Sequence, residues 1–259
     1  ADFWQSKAIA LDAKKNYDEA VKCFNKALEL NPGCIDGLIK KGHALYNQAR
    51  YEEAIMCFDK ILEIAPDNTD IVIKKGQVLY NQSRYEEAVI CFNKALELDP
   101  ESVVSLKNKG LALLKQNVCT EALACFNACL KLDPDSVDAW SGKGKTLYAQ
   151  YKYNEALQCY SNALKLSPHN IELLLDKGKI LGYVYDRYDE AIECYNSVLD
   201  IEPDNIDALY YKGLALDKQG NYREAIKCYD RILSLGSTKY TDPLVRKNNA
   251  LKALENYGK

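Results

Sequence analysis

Cysteine is the most chemically versatile side chain in this sequence, and it recurs at a nearly fixed interval. Seven of the ten cysteines are spaced 34 residues apart, with one interval of 35: Cys23, Cys57, Cys91, Cys125, Cys159, Cys194 and Cys228. A ladder of thiols could hold metal ions or form disulfides. On a series of stacked helices, however, neighbouring rungs would be roughly 10 Å apart, whereas a disulfide requires Cα atoms within about 7 Å. We therefore interpret these residues as small, half-buried apolar side chains, and we expect a reducing, cytoplasmic compartment.

Other residues suited to catalysis or metal binding are scarce. Cys125 and Cys129 have the i, i+4 spacing of one helix face and could share a metal, but no histidine or third cysteine lies near them in sequence. His43 and His169 are the only histidines, and neither is placed to activate a serine or a cysteine. The Gly-Lys-Gly-Lys run at 142–145 lacks the strand-loop context of a phosphate-binding loop. We predict that the chain is not an enzyme and needs no cofactor or metal.

Lysine forms a second ladder with the same interval. Its members are Lys7, Lys41, Lys75, Lys109, Lys143, Lys177 and Lys212. Such a row could hold a polyanion. Each lysine borders a buried stripe, however, so we favour a stem that lies over apolar neighbours with its ammonium group in water.

These ladders belong to elements that repeat along the whole chain. The phrase YEEAIMCFDKILEIAP at 51–66 returns as YEEAVICFNKALELDP at 85–100 and as YNEALQCYSNALKLSP at 153–168. Prolines follow the same interval: Pro32, Pro66, Pro100, Pro134 and Pro168 are 34 residues apart, and Pro203 follows after 35. This period predicts a helical solenoid, in which each repeat buries its apolar faces against its neighbours.

Each repeat contains two helical patterns. The first has apolar or small residues at repeat positions 4, 8 and 11, and the second has a small residue at position 20 and an aromatic ring at position 24. Position 8 is glycine in six repeats, which costs about 1 kcal/mol relative to alanine in a helix. We expect the gain to be close approach of the two helices, with Gly42 facing Ala54. The ring at position 24 is large enough to reach into the next repeat, and the proline ends the second helix.

This pattern resembles the tetratricopeptide repeat (TPR) family, whose motif is W-x2-L-G-x2-Y followed by A-x3-F and a proline. The resemblance covers nearly the whole chain. Position 7 departs from the motif as lysine and position 11 as leucine, and only Trp4 and Trp140 keep the tryptophan. The resemblance implies an all-α, right-handed superhelical solenoid of seven helix-turn-helix repeats. Residues 1–239 would form these repeats: 1–34, 35–68, 69–102, 103–136, 137–170, 171–205 and 206–239.

Two irregularities complete the predicted organisation. Repeat six has one extra residue between Gly178 and Ala191, which we place in the turn between its two helices. After repeat seven, Asp242 and Pro243 read as an N-cap and a first helical residue. Residues 240–259 are therefore predicted to form a C-terminal capping helix that covers the last exposed stripe.

The TPR resemblance also implies a ligand surface. Positions 2, 6, 9 and 13, flanked by 5 and 12, would line a concave groove. Tyrosine with scattered lysine and asparagine suits peptide recognition. The candidate groove residues are Lys40, His43, Tyr46, Asn47, Lys74, Gln77, Tyr80, Asn81, Lys107, Asn108, Leu111, Lys145, Tyr148, Lys179, Tyr210 and Leu214. Neither the lysine–asparagine clamp for chaperone tails nor the asparagine ladder of sugar-transferase TPR regions matches these positions.

We therefore predict a scaffold or adaptor that binds a protein or peptide partner in this groove. One alternative is the targeting or regulatory region of a larger enzyme, and a second is an RNA-binding helical repeat. The net charge of −3 and the pI near 5.6 argue against nucleic acid. No signal peptide is visible, and no apolar run approaches 18 residues, which argues against a membrane span. Self-association through the N-terminal end, which carries Phe3 and Trp4, is a further alternative.

Overall fold

The computed structural model describes residues 1–257, which contain fifteen α-helices and no strand. Two compact units divide the chain after Pro134. The N-terminal unit contains α1 (Asp2–Ala13), α2 (Tyr17–Leu30), α3 (Ile35–Asn47), α4 (Tyr51–Ile64), α5 (Thr69–Asn81), α6 (Tyr85–Leu98), α7 (Val103–Lys115) and α8 (Cys119–Leu132). The C-terminal unit contains α9 (Val137–Ala149), α10 (Tyr153–Leu166), α11 (Ile171–Tyr183), α12 (Tyr188–Ile201), α13 (Ile206–Lys218), α14 (Tyr222–Ser234) and α15 (Pro243–Tyr257).

Helix pairs stack in chain order within each unit. Within a unit, each helix packs against the next one along the chain. Some first helices of successive repeats are also in contact, as are α5 and α7, and α11 and α13. Each predicted repeat holds one such pair, with the odd-numbered helix first. This arrangement confirms the predicted solenoid of seven helix pairs, because the packing partners are sequence neighbours rather than distant segments around one shared core.

The core of each pair is an aromatic ring laid over the position-8 residue. The position-24 ring is at most 2 % exposed in all seven repeats, and the alanine at position 20 is fully buried. The atoms nearest to a Cβ built on Gly42 belong to the Phe58 ring, the first of them Cε1 at only 2.8 Å, whereas the predicted pairing of Gly42 with Ala54 stays a prediction. The missing side chain therefore makes room for an aromatic ring of the second helix.

A left-handed residue closes the turn between the two helices of every repeat. It stands two residues before the second helix, as Ala49 does before Tyr51. The amide that follows donates a hydrogen bond to the carbonyl oxygen of the position-11 leucine, as Arg50 does to Leu45 at 2.9 Å. The extra residue of repeat six lies in this turn, as predicted. Four residues instead of three separate α11 from α12 there.

The last helix begins at the predicted position. Asp242 precedes α15, its carbonyl oxygen accepts from the Arg246 amide, and Pro243 is the first helical residue. Ala250 is 2 % exposed, and Lys247 pairs with Asp230 at 2.6 Å, so α15 packs on α14. Residues 258 and 259 of the predicted cap lie outside the described residues. None of the described helices is both long and apolar enough to span a bilayer.

Candidate functional site

A cleft of about 550 Å³ opens on the first helices of repeats two, three and four, within the N-terminal unit. Nine of the predicted groove residues line it: His43, Tyr46, Asn47, Lys74, Gln77, Tyr80, Asn81, Asn108 and Leu111. Phe58, Val78 and Phe92 complete the lining. The cleft is therefore a polar surface of amides and phenols over an aromatic base. Two other predicted residues of this unit, Lys40 and Lys107, are not part of the lining, and Lys40 lies 3.6 Å from Asp36.

The sequence pattern does not predict this aromatic base, because it indicates that the position-24 rings pack against the next repeat. Phe58 and Phe92 line the cleft as buried rings that are at most 1 % exposed, each lying against the position-8 glycine of its own repeat. The glycine at position 8, which occurs in six repeats, is the sequence feature that marks where each ring lies against the first helix.

Two tyrosines at position 12 are held in fixed orientations along the cleft. Tyr46 packs on Tyr51 with ring centroids 5.6 Å apart, and Tyr80 packs on Tyr85 at 5.3 Å. Asn81 Nδ2 donates to the Tyr46 hydroxyl at 2.6 Å, which links repeats two and three. Burial, and then the neighbouring Tyr85, raises the pKa of Tyr80, so its hydroxyl stays protonated and can donate a hydrogen bond.

Asn108 carries a buried hydrogen-bond donor with no acceptor. Its Nδ2 atom is shielded from solvent, yet it has no partner among the described residues. A buried donor left unpaired costs roughly 1–3 kcal/mol. Asn108 as a whole is one of the residues that line the cleft, so this unpaired donor lies at its wall.

His43 contributes a neutral imidazole. Its ring meets Phe58 edge-on with centroids 6.4 Å apart. Burial, and then the positive charges of Lys74 and Lys40, lower the pKa of His43, although the Asp12 carboxylate acts in the opposite direction. At neutral pH the residue therefore acts as a polar, uncharged part of the wall.

The remaining candidates lie in the C-terminal unit, where most have partners within the chain. Lys145 pairs with Glu172 at 2.6 Å, and Lys179 lies 3.4 Å from Asp176 with its ammonium group 5.2 Å from the centre of the Tyr211 ring. Tyr148 packs on Tyr153 but remains 46 % exposed. The positive charges of Lys145 and Lys179 are therefore partly neutralised by acidic residues of the chain itself.

Tyr210 and Leu214 line a second cavity, of about 430 Å³. Tyr210 is not open as a groove residue would be, because Tyr240 of the chain itself stacks on it with ring centroids 3.7 Å apart. Its exposed fraction is only 8 %. Sequence reasoning could not find this contact, since the segment that covers Tyr210 lies outside the repeats.

The cysteine ladder has the environment of inert thiols. All ten cysteines are free, and six of the seven ladder members are buried. Burial raises the pKa of Cys159 to about 11, and it also raises the pKa of Cys57, Cys91 and Cys125. The positive charge of the position-7 lysine in each repeat lowers these pKa values, but by less than burial raises them. Protonated thiols are poor nucleophiles and metal ligands. Within residues 1–257, no group of three or more histidine, cysteine or acidic residues could hold a metal ion.

None of the position-7 lysines is among the residues that line the cleft. The Lys143 ammonium group is 5.5 Å from the centre of the Trp140 ring, and Lys7 and Lys26 both approach Trp4. Lys75 reaches across to Asp59 at 2.6 Å. These contacts agree with the interpretation that the lysine stems cover apolar neighbours.

Solved structures with this arrangement of helices are numerous. A TPR protein from Parabacteroides merdae has a TM-score of 0.73 at 17% identity and covers 96% of this chain and 98% of its own. Pseudomonas aeruginosa pilF has a TM-score of 0.65 at 23% identity, covering 80% and 94%. YrrB, described as a TPR protein with an unusual peptide-binding site, has a TM-score of 0.57 at 25% identity, covering 67% and 90%. A comparison with curated proteins gave no match.

Family models agree with the structural likeness. Models described as Tetratricopeptide repeat match residues 1–34, 206–238 and 39–103, and one described as TPR repeat matches 186–220. A model described as Anaphase-promoting complex, cyclosome, subunit 3, matches 81–163. With the repeated glycine–aromatic packing and the stacked helix pairs, these matches show that the chain belongs to the tetratricopeptide repeat family.

Proposed function

We propose that this protein is an interaction scaffold whose N-terminal unit binds an extended peptide in the cleft formed by α3, α5 and α7. The observation that carries this proposal is the unpartnered, buried Nδ2 donor of Asn108, a residue that lines a cleft already rich in polar groups. The YrrB structure, a TPR protein with a peptide-binding site, supports the same class of ligand.

The lining suits the main chain of a peptide more than one particular side chain. Asn47, Gln77, Asn81 and Asn108 each present an amide that can both donate to and accept from a peptide backbone. Tyr46 and Tyr80 add rigid rings with polar tips, which provide contact area at little cost in side-chain entropy. We therefore expect binding that depends strongly on backbone contacts and more weakly on the peptide's sequence.

The test begins with selection of phage-displayed random peptides on the immobilised chain, followed by calorimetry with the selected peptide. We expect Asn108→Ala and Tyr80→Ala to weaken binding at least tenfold, which corresponds to about 1.4 kcal/mol. Asn249→Ala, at an exposed position on α15, is the matched control and should bind as the unmodified chain does. If no peptide is selected, or if the two cleft variants retain full affinity, the proposal is wrong.

A further inference from the structure

The connection between α14 and α15 lies across the first helix of repeat seven. We call residues 237–242 of this connection the strap. Tyr240 of the strap stacks face to face on Tyr210, and its hydroxyl donates to Asp207 Oδ1 at 2.8 Å. Lys239 Nζ pairs with the same carboxylate at 2.7 Å. The Tyr210 hydroxyl in turn donates to Asp242 Oδ1 at 3.0 Å.

Side chains alone hold the strap on α13. No backbone hydrogen bond joins residues 237–242 to α13 among the described residues, and the Lys239 amide donates only to Ser237 Oγ. The capping helix α15 is anchored separately on α14 through Ala250 and the Lys247–Asp230 pair. Arg246 at the start of α15 also approaches α13, because its guanidinium carbon lies 5.8 Å from the centre of the Tyr210 ring and it pairs with Asp242. Release of the strap therefore breaks side-chain contacts only, and the contacts of α15 with α14 can remain.

The surface under and beside the strap is rich in aromatic rings. The centre of the Tyr211 ring lies 5.6 Å from that of Tyr210 and 5.9 Å from that of Tyr183. Tyr183 is 58 % exposed. The adjoining cavity of about 430 Å³ is lined by these rings together with Leu214 and Lys218. An aromatic floor beside the Asp207 carboxylate offers a stacking site and an acceptor for a hydroxyl or ammonium group.

Three side chains of the strap each have a contact partner on α13. Lys239 and Tyr240 both contact Asp207, the Tyr240 ring covers Tyr210, and Asp242 accepts from the Tyr210 hydroxyl. Together they form a Lys-Tyr-x-Asp segment whose every charged or aromatic member has a partner on α13. A segment of another protein with the same chemistry could make the same contacts.

We propose that the tyrosine-rich face of α13 is a docking surface for Lys-Tyr-x-Asp segments, and that the strap occupies this surface in cis. A partner carrying such a segment docks by displacing the strap. The surface lies in the C-terminal unit and does not depend on the cleft proposed above.

The experiment uses a fluorescein-labelled peptide with the sequence of residues 236–243, Gly-Ser-Thr-Lys-Tyr-Thr-Asp-Pro, and fluorescence polarisation. A release variant, Lys239→Ala with Tyr240→Ala, should bind this peptide at least tenfold more tightly than the unmodified chain. The matched control, Tyr151→Ala with Lys152→Ala, removes an exposed tyrosine and lysine from a turn of the same unit and should bind as the unmodified chain does.

Specificity is checked with two further changes. A peptide with alanine in place of its tyrosine should not bind, and Tyr210→Ala in the release variant should abolish binding, whereas Asn108→Ala should leave it unchanged. If the double variant loses its helical circular dichroism signal, Tyr240→Ala alone provides the same comparison. Equal affinity for the unmodified and released chains, or no binding to either, would overturn the proposal.

Discussion

At the scale of single residues, the position-8 glycine and the position-24 ring form the most regular contact in the molecule. A Cβ added to any of the six glycines would lie between 2.5 and 2.8 Å from a ring carbon, closer than such atoms approach in proteins. The ring is fully buried and cannot move without disturbing the next helix. The cost of glycine in a helix is therefore offset by the packing of a phenylalanine or tyrosine ring.

Gly144→Ala tests this contact directly. Alanine improves helix propensity by about 1 kcal/mol, but overpacking against Tyr160, at 2.5 Å, costs about 1–3 kcal/mol. We expect a lower urea midpoint despite the better helix former. Gly33→Ala, at a position where a Cβ would meet nothing within 4 Å, should leave the midpoint unchanged or raise it slightly. A midpoint for Gly144→Ala equal to that of the control would show that the ring can move aside.

His43 makes stability depend on pH. Its pKa is lowered in the folded chain from the ordinary 6.5, first by burial and then by Lys74. The unfolded chain therefore binds more protons than the folded one between the folded pKa and 6.5, so stability rises with pH across this window and falls as acid is added.

We expect the urea midpoint to fall between pH 7.5 and pH 5 by more in the unmodified chain than in His43→Gln. The His43 ring proton signal, followed by NMR, should titrate below pH 6.5. Identical midpoint changes in the two proteins, or titration at or above pH 6.5, would contradict this assignment.

At the scale of helices, the first helices of the repeats differ in whether their N-cap side chain accepts a hydrogen bond from the helix backbone. Asn68, Asn170 and Asn205 cap α5, α11 and α13 by accepting a backbone amide at 3.0 to 3.2 Å. Cys34 precedes α3 with nearly the same dihedral angles as Asn68, but its side chain makes no capping bond.

Cys34→Asn should therefore stabilise the chain by about 0.5–1 kcal/mol, because an asparagine N-cap satisfies an amide that cysteine leaves unpaired. The converse change, Asn68→Ala, should destabilise by about 1 kcal/mol. Urea unfolding of the two variants measures both effects. A destabilised Cys34→Asn would mean that the contact of Cys34 Sγ with Gln5, 3.6 Å long, matters more than the cap.

Side-chain hydrogen bonds between the turns also connect successive repeats, and they have a recurring residue in the sequence. In three repeats a glutamine at the start of the turn donates to an acidic residue of the preceding repeat: Gln48 to Asp18 at 2.8 Å, Gln82 to Glu52 at 3.0 Å and Gln219 to Asp189 at 2.7 Å. The equivalent Gln116 Nε2 has no partner among the described residues. In repeat six, which has the longer turn, Tyr185 takes this role and donates to Asn154 at 2.7 Å. The recurrence of glutamine at a turn position, rather than on a helix face, is the sequence feature that indicates this contact between repeats.

At the scale of the whole molecule, periodicity explains what could be predicted and what could not. Helix pairs, their buried faces and the start of α15 follow from patterns that recur or from the Asp242-Pro243 pair, because faces of helices are properties of local spacing. The cover over Tyr210 does not follow, since Tyr240 lies in a segment that occurs once and has no counterpart in the other repeats. The unpartnered amide of Asn108 was equally hidden, because hydrogen-bond satisfaction depends on neighbours in space.

We expect α15 to prevent the last helix pair from associating with other copies of the chain. Ala250→Asp places a charge at a site that is 2 % exposed and should displace α15 from α14, since burying an unpaired charge costs several kcal/mol. We expect a lower unfolding midpoint and a larger mass by light scattering. Leu251→Asp, at a position that is 37 % exposed, is the matched control and should remain unchanged. A monomeric, stable Ala250→Asp would show that α15 is dispensable as a cover.

The turn of repeat six shows how this architecture absorbs added chain. Asp186 keeps the left-handed conformation two residues before α12, and the Arg187 amide still reaches the Leu181 carbonyl oxygen at 2.9 Å, across one more residue than in the other repeats. The surplus is taken up upstream, around Val184 and Tyr185, while the closing hydrogen bond stays in place. This loop is consequently the natural place to splice in a reporter or epitope tag without disturbing the register of the helices on either side.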